Sequence, residues 1–150
     1  MGFYINQNII FSKREQFSTS KQDYEGLWIE VENKRQRNIV CGIIYRHPKG
    51  NIETFLEYLY DVIESVHNEN RLCILMGDFN INLLHFESHP TTEQFLNSLG
   101  TYFFHPHILK PTRITNHSAT LIDNIFFNSA EHLTASGNIL YDTSDHLPNF

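Results

Sequence analysis

A short apolar segment that runs directly into an acidic residue is the feature that most constrains this chain. Leu72–Leu75 is typical of a buried strand, and the run Met76-Gly77-Asp78-Phe79-Asn80 follows it at once. Polar residues at the end of a strand in an α/β fold face the crevice where ligands bind. Asp78 and Asn80 alternate around Phe79, so we expect both polar side chains to point the same way while the ring packs beneath them. A turn is the alternative interpretation, because Gly, Asp and Asn are common in turns.

The apolar pattern predicts strands that alternate with helices. Apolar residues at three- and four-residue spacing predict an amphipathic helix from Ile52 to Val66, with Asn51 as its cap. A second helix is expected over Thr92–Leu99, ending at Gly100. The predicted strands are Gly2–Phe11, Leu27–Glu32, Ile39–Tyr45, Leu72–Met76 and Leu121–Phe127. This alternation indicates one α/β domain.

Charge and composition exclude some functions. The net charge is −6, and from Leu72 onward only Lys110 and Arg113 are basic, so we expect no tight static complex with nucleic acid, which draws on many phosphate contacts. An enzyme that places a cation between its carboxylates and a phosphodiester remains consistent with this charge. No apolar run approaches the ~20 residues of a membrane span, and we expect no membrane partner.

Three acidic residues lie in contexts that suggest chemistry. Asp78 ends a strand, Asp123 interrupts an apolar strand, and Asp145 precedes His146. An acid within an apolar strand is costly unless it is paired or bound to a cation. A carboxylate bonded to one nitrogen of His146 would fix its tautomer and leave the other nitrogen free. Asp145 offers the hard oxygen ligand that Mg²⁺ prefers, so this set indicates metal-assisted phosphodiester hydrolysis.

In their order along the chain, these motifs resemble those of the endonuclease/exonuclease/phosphatase superfamily. The motifs are Gly77-Asp78-Phe79-Asn80, Ser118-Ala119-Thr120-Leu121-Ile122-Asp123 and Ser144-Asp145-His146. Two further elements, Tyr45-Arg46-His47-Pro48 and Pro111-Thr112-Arg113, are similar to segments of the apurinic-type endonuclease domain of non-LTR (LINE-like) retrotransposons. The resemblance covers nearly the whole chain.

The resemblance implies a fold and a set of roles. The fold is a four-layer α/β-sandwich of two packed mixed β-sheets flanked by helices, incomplete in this chain. Asp78 would be the general base, Asn80 and Tyr45 would bond the scissile phosphate, Asp123 would orient His146, and His146 would polarise the phosphate. Asp145 would hold Mg²⁺, with Mn²⁺ as the alternative, and Thr112, Ser144 and Arg46 would be supporting phosphate contacts. The substrate would be DNA, nicked in the nucleus of the cell, with a reverse transcriptase domain on the same polypeptide.

The chain also departs from the family pattern. An upstream Asn and a metal-binding Glu of the family have no counterpart here, so we expect an N- and C-terminally truncated domain with weak or absent activity. One alternative is a non-catalytic remnant or interaction module. Another keeps the phosphodiesterase chemistry but acts on RNA or on phospholipid headgroups.

Overall fold

A helical crossover joins the two parallel strands at the centre of the fold. The computed structural model describes residues 1–34, 36–129, 135–140 and 144–150. Within them, strand β4 (Ile39–Arg46) leads into helix α1 (Ile52–Asn68), which returns the chain to strand β5 (Leu72–Asp78). The strands β4 and β5 are parallel, and a parallel pair requires a long connection because both strands start at the same edge of the sheet.

Antiparallel strands extend this pair on both sides. Strand β3 (Tyr24–Val31) pairs with β4, and strand β9 (Asp123–Phe127) pairs with β5. Three short strands complete the large sheet: β1 (Phe11–Lys13) and β2 (Thr19–Ser20) pair with β3, and β6 (His105–Pro106) pairs with β9. The remaining elements are a short 3₁₀ helix (Leu83–His85), helix α2 (Pro90–Thr101) and a hairpin of β7 (Arg113–Ile114) and β8 (Ala119–Thr120).

Both helices cover the same face of the large sheet. Trp28, Ile44, Leu75 and Phe126 come from that face of four neighbouring strands, and each is at most 1% exposed. The predicted apolar stripe of α1 is confirmed, since its inward side chains belong to the same buried cluster. Each fully buried large apolar side chain stabilises the fold by roughly 1.5–3 kcal/mol. The core therefore fixes the sheet on which any site must be built.

The other face of the sheet is also apolar but only partly buried. Strand register aligns Leu27, Ile43, Met76 and Ile125 in one row across four strands, and all four keep intermediate exposure. The continuous apolar run of β4 is therefore fully buried on the helix side alone. The predicted α/β fold class is confirmed, and in the described residues the second sheet is the β7–β8 hairpin.

Element boundaries differ from the predictions at several points. Only Phe11 of the predicted first strand is in a strand, and most of residues 1–10 are exposed. Helix α2 begins at Pro90, two residues early, since proline at the first helical position loses no intrahelical bond. None of the helices in the described part of the chain has the length and apolar character needed to cross a membrane.

Helix α2 ends in a conformation that glycine normally supplies. Phe103 has φ of 64°, its N–H donates to Gly100 O, and the N–H of Phe104 donates to Leu99 O. This pair of bonds defines a Schellman motif, in which the left-handed position is usually glycine. Gly100, which we expected to end the helix, instead lies in its last turn, and the left-handed position falls to an aromatic residue that is 62% exposed.

We expect Phe103→Gly to raise the free energy of unfolding by up to about 1 kcal/mol, because a side chain in the left-handed region costs roughly 1–2 kcal/mol and glycine avoids that cost. Urea unfolding of the purified chain measures the change. Phe103→Ala is the matched control, since it removes the ring without relieving the backbone. A glycine variant no more stable than the alanine variant would contradict the explanation.

Candidate active site

Strand register brings three polar side chains into one row at the edge of the sheet. Tyr45 of β4 lies opposite Asp78 of β5, and Asp78 lies opposite Asp123 of β9. Side chains of directly opposite residues project from the same face, so all three stand on the face that the helices leave open. Gly77, the residue before Asp78, allows the backbones of β4 and β5 to approach closely. A Cβ at position 77 would lie 1.8 Å from Ile44 O, and the φ of Gly77 is 143°.

His146 joins this row from the end of the described chain. Its Nδ1 lies 3.0 Å from Asp123 Oδ2 and 3.3 Å from Oδ1. A β-bridge between Arg113 and His146 holds the backbone of this segment, and the Leu147 N–H donates to Thr112 O at 2.7 Å. One ligand atom each from Asp78, Asp123 and His146 lies within 4.8 Å of the other two. We call these three residues the Asp–Asp–His cluster.

Electrostatics at the cluster favour a proton or a cation. Burial, and then the neighbouring carboxylate of Asp123, raise the pKa of Asp78 above its ordinary value. The Asn80 N–H, which donates to Asp78 Oδ1 at 3.0 Å, opposes this rise. A carboxyl group with a raised pKa is better suited to accept a proton near neutral pH. Two carboxylates held this close also repel each other unless a positive charge lies between them.

The donor set suits a hard divalent cation. Carboxylate oxygens are the ligands that Mg²⁺ and Mn²⁺ prefer, and Mg²⁺ uses only one or two of them in addition to water and substrate phosphate. Asp78 and Asp123 provide such oxygens from two adjacent strands, whose spacing is fixed by the sheet. The two carboxylates of the cluster therefore fit such a cation.

Thr112 supports the cluster from below. Its side chain is fully buried, and its hydroxyl oxygen accepts the N–H groups of Ile122 at 3.2 Å and Asp123 at 3.0 Å. The hydroxyl thus fixes the backbone where Asp123 enters β9. In this structure Thr112 touches the backbone of a cluster residue, and its contact with a substrate phosphate stays a prediction.

Asp145 forms an ion pair beside the cluster and is not a member of it. Its Oδ2 pairs with Arg113 Nε at 2.7 Å, and this bond is the main cause that lowers the pKa of Asp145. Arg113 is the residue that sequence reasoning missed, although Pro111-Thr112-Arg113 had been matched to a family segment. The available signal was the scarcity of Lys and Arg in this part of the chain, because Arg113 is one of two such residues after Leu72. Asp145 is not among the three residues that converge.

Three other predicted residues, Asn80, Arg46 and Ser144, form hydrogen bonds to the backbone of the loops around the cluster. Asn80 has φ of 49°, so the strand alternation expected from Asp78 to Asn80 ends at Asp78, while the Phe79 ring packs into the core as predicted. Asn80 Nδ2 donates to Arg46 O at 2.8 Å. The Arg46 guanidinium donates to four backbone carbonyls, including Phe79 O and Asn80 O at 2.7 Å. The Ser144 hydroxyl accepts the His146 N–H at 3.2 Å.

Comparison with known proteins now identifies the family. Residues 39–150, more than half of the chain, match the family described as endonuclease-reverse transcriptase, and the chain belongs to that family. The resemblance to the endonuclease/exonuclease/phosphatase superfamily is thereby confirmed. No curated protein matches the sequence significantly.

Solved structures share the fold at low sequence identity. The endonuclease domain of TRAS1, a telomere-specific non-LTR retrotransposon, has 18% identity and a TM-score of 0.69, covering 95% of this chain and 65% of its own. The catalytic domain of Xenopus laevis APE2 has 19% identity and a TM-score of 0.61, covering 86% of this chain and 54% of its own. An AP endonuclease from Archaeoglobus fulgidus has 15% identity and a TM-score of 0.60, covering 81% and 63%. The chain therefore spans less than two thirds of each of these structures.

We expect Thr112→Val to destabilise the fold by about 1–3 kcal/mol, because it leaves two buried N–H groups, those of Ile122 and Asp123, without an acceptor. Chemical denaturation measures the loss. Thr112→Ser, which keeps the hydroxyl, should retain most of the stability. Thr54→Val at an exposed helix position is the matched control, with an expected change within about 0.5 kcal/mol. Equal stability of the two valine variants would contradict the supporting role.

The raised pKa of Asp78 predicts a pH-dependent effect of Asp78→Asn in the presence of EDTA. Because folding favours the protonated form, this carboxyl group stabilises the fold below its ordinary pKa and loses that contribution as the pH rises through its raised value. The neutral amide avoids the charge at every pH. Asp78→Asn should therefore raise the thermal midpoint at pH 7, and the gain should vanish at low pH.

Asp61→Asn, an exposed substitution on α1, is the control for this measurement and should have little effect at either pH. A lower midpoint for Asp78→Asn at pH 7 would contradict the assigned direction of the pKa shift.

Proposed function

We propose that this chain is a metal-dependent DNA endonuclease of the retrotransposon type, which hydrolyses a phosphodiester at the Asp–Asp–His cluster. The observation that carries the proposal is the convergence of two carboxylates and an imidazole, from residues far apart in sequence, within 4.8 Å of one another. Family membership supports the reaction class. The similarity in fold to the endonuclease domain of TRAS1 supports the retrotransposon branch.

Each side chain of the site has its own proposed role in hydrolysis. In its protonated form His146 would donate Nδ1–H to Asp123 and Nε2–H to a phosphate oxygen, where an N–H donor stabilises developing negative charge. Asp78 would take a proton from the attacking water, since its raised pKa brings it closer to the working pH. Tyr45, in the same row as Asp78, and Asn80 would hold the scissile phosphate.

A divalent cation, Mg²⁺ or Mn²⁺, would neutralise charge on the phosphate oxygens when bound. The carboxylate of Asp123 is the ligand that the geometry supports, since Asp78 is assigned to the attacking water. Asp145, the ligand indicated by the sequence motif, would first have to leave Arg113, to which it is paired. Arg113 would then be free to bond a phosphate, because guanidinium groups bind carboxylate and phosphate with the same geometry.

The biological setting of this activity follows from the family. We propose that the DNA is nicked as a target for insertion, that a reverse transcriptase domain belongs to the same polypeptide, and that the protein acts in the nucleus. The description endonuclease-reverse transcriptase supports the second of these proposals.

Nicking of supercoiled plasmid in Mg²⁺ tests the function. We expect conversion to open circles by the unaltered chain and a loss of at least about 10²-fold in Asp78→Ala and His146→Ala, the scale of a lost acid–base group. Asp61→Asn should nick as the unaltered chain does. No nicking, or equal nicking by all variants, would reject the enzyme and leave a non-catalytic module. Abasic DNA, RNA and phosphoinositide substrates define the substrate class.

A cation-binding measurement distinguishes Asp123 from Asp145 as the ligand of the cation. Mn²⁺ should raise the thermal midpoint of the unaltered chain, because a ligand that binds only the folded state stabilises it. Asp123→Asn should abolish this rise, whereas Asp145→Asn should retain most of it. The reverse pattern would assign the cation to Asp145 and contradict the geometric set.

A further inference from the structure

A small cavity lies at the end of the sheet opposite the Asp–Asp–His cluster. It has a volume of about 160 Å³, and its wall includes Leu72, where β5 begins. Asp78 ends the same strand. Because a strand rises about 3.3 Å per residue, the six steps between them separate the two sites by roughly 20 Å. We call this space the β5-start cavity, and the roles assigned to the cluster residues use no part of its wall.

Three aromatic rings stand side by side on one wall of the cavity. The centroid of the His67 ring lies 5.1 Å from that of Tyr102 and 6.4 Å from that of Phe103. Tyr102 is buried, whereas Phe103 is 62% exposed, and its ring plane is tilted by 31° from that of His67. The wall therefore presents an exposed aromatic face on which another flat ring can stack.

Phe103 also keeps a backbone conformation that costs stability. Its φ of 64° lies in the left-handed region, which is unfavourable for a residue with a side chain. The exposed ring is not packed in the core, so its burial does not offset this cost. Residues held in strained conformations are concentrated at binding and catalytic positions, and here the strain supports a binding role for the ring.

An arginine without an acidic partner lies on the wall beside these rings. Arg37, in the turn that joins β3 to β4, donates to Asn70 Oδ1 at 2.7 Å, and it takes part in none of the ion pairs between described residues. The second arginine of the wall, Arg71, faces Glu30 and Glu69, which balance its charge. Acidic side chains are absent from the described wall itself. The Arg37 guanidinium is therefore available to an anion next to the stacking surface.

We propose that the β5-start cavity binds one unpaired nucleotide of a nucleic acid strand, with its base stacked on Phe103 and its phosphate bonded to Arg37. Aromatic rings beside a positive charge suit a single strand, because every base has a flat face and every linkage carries a phosphate. The guanidinium group matches the geometry of a phosphate. This contact requires neither a divalent cation nor hydrolysis, so it goes beyond the function proposed for the cluster and does not depend on it.

Equilibrium binding of a fluorescein-labelled thymidine decamer, measured by anisotropy in EDTA at low salt, tests the site. We expect Phe103→Ala to weaken binding at least about fivefold, the scale of one lost stack between a base and an aromatic ring, and Phe103→Trp to retain it. Phe86→Ala is the matched control, because this ring is 50% exposed and lies outside the described wall. It should bind as the unaltered chain does.

Phe103→Gly separates binding from folding. It should weaken binding as much as Phe103→Ala, although it should unfold at a higher urea concentration, because glycine relieves the left-handed backbone. A ring that only supported the fold would not combine weaker binding with greater stability. Undiminished binding by the glycine and alanine variants, an equal loss in Phe86→Ala, or no binding of the decamer by the unaltered chain would overturn the proposal.

Salt dependence tests the phosphate contact. Arg37→Gln should weaken binding and lower the slope of log Kd against log salt concentration by about 0.7, the value for one phosphate of a single strand. Lys49→Gln, an exposed substitution with the same change in charge, should leave the slope unchanged. Equal slopes for the two variants would overturn the contact assigned to Arg37. Competition by thymidine monophosphate as strong as that by the unlabelled decamer would overturn the strand as the source of the nucleotide.

Discussion

The register of β5 between its two neighbours is the constraint on which the site depends. One face of this strand carries Leu75 into the helix-covered core, and the other carries Met76 and Asp78 toward the open side. A slip of one residue would exchange the two faces, placing the carboxylate under the helices and Leu75 in water. Gly77 reinforces this register, because any side chain there would collide with Ile44 O. A slip in register would expose core side chains to water, and this cost in free energy keeps Asp78 opposite Asp123.

A well-packed core also allows the site to hold like charges together. The carboxylates of Asp78 and Asp123 face each other on adjacent strands, and burial, followed by the charge of Asp123, raises the pKa of Asp78. Such an arrangement opposes folding at neutral pH, so it persists only where the surrounding structure is rigid enough to impose it. The aromatic cluster beneath provides this rigidity: the Phe79 ring, directly after Asp78, packs against Phe95 and Phe126.

Sequence reasoning succeeded where a local pattern determines the structure and failed where distant segments meet. The stripe of α1 and the strands flanking Asp78 follow from periodicity, and the order of the motifs suggested that Asp123 and His146 belong together. The pair of Arg113 with Asp145 joins residues 32 positions apart, and no periodicity marks such a contact. For Asn80 the sequence left strand alternation and a turn as alternatives, and its φ of 49° agrees with the turn, a conformation that asparagine tolerates. Residue propensities likewise do not predict Phe103 in the left-handed position at the end of α2, where glycine is usual.

The charge of the cluster limits how it could meet a polyanion. The carboxylates of Asp78 and Asp123 lie close together on the open face of the sheet, and the chain has a net charge of −6. Under the proposed function, a phosphodiester would be repelled from this position unless a cation compensated the two acids. The basic side chain nearest in the fold is Arg113, whose backbone bridges that of His146. Its guanidinium is paired with Asp145, so in this arrangement the charge of Arg113 is already balanced by a carboxylate.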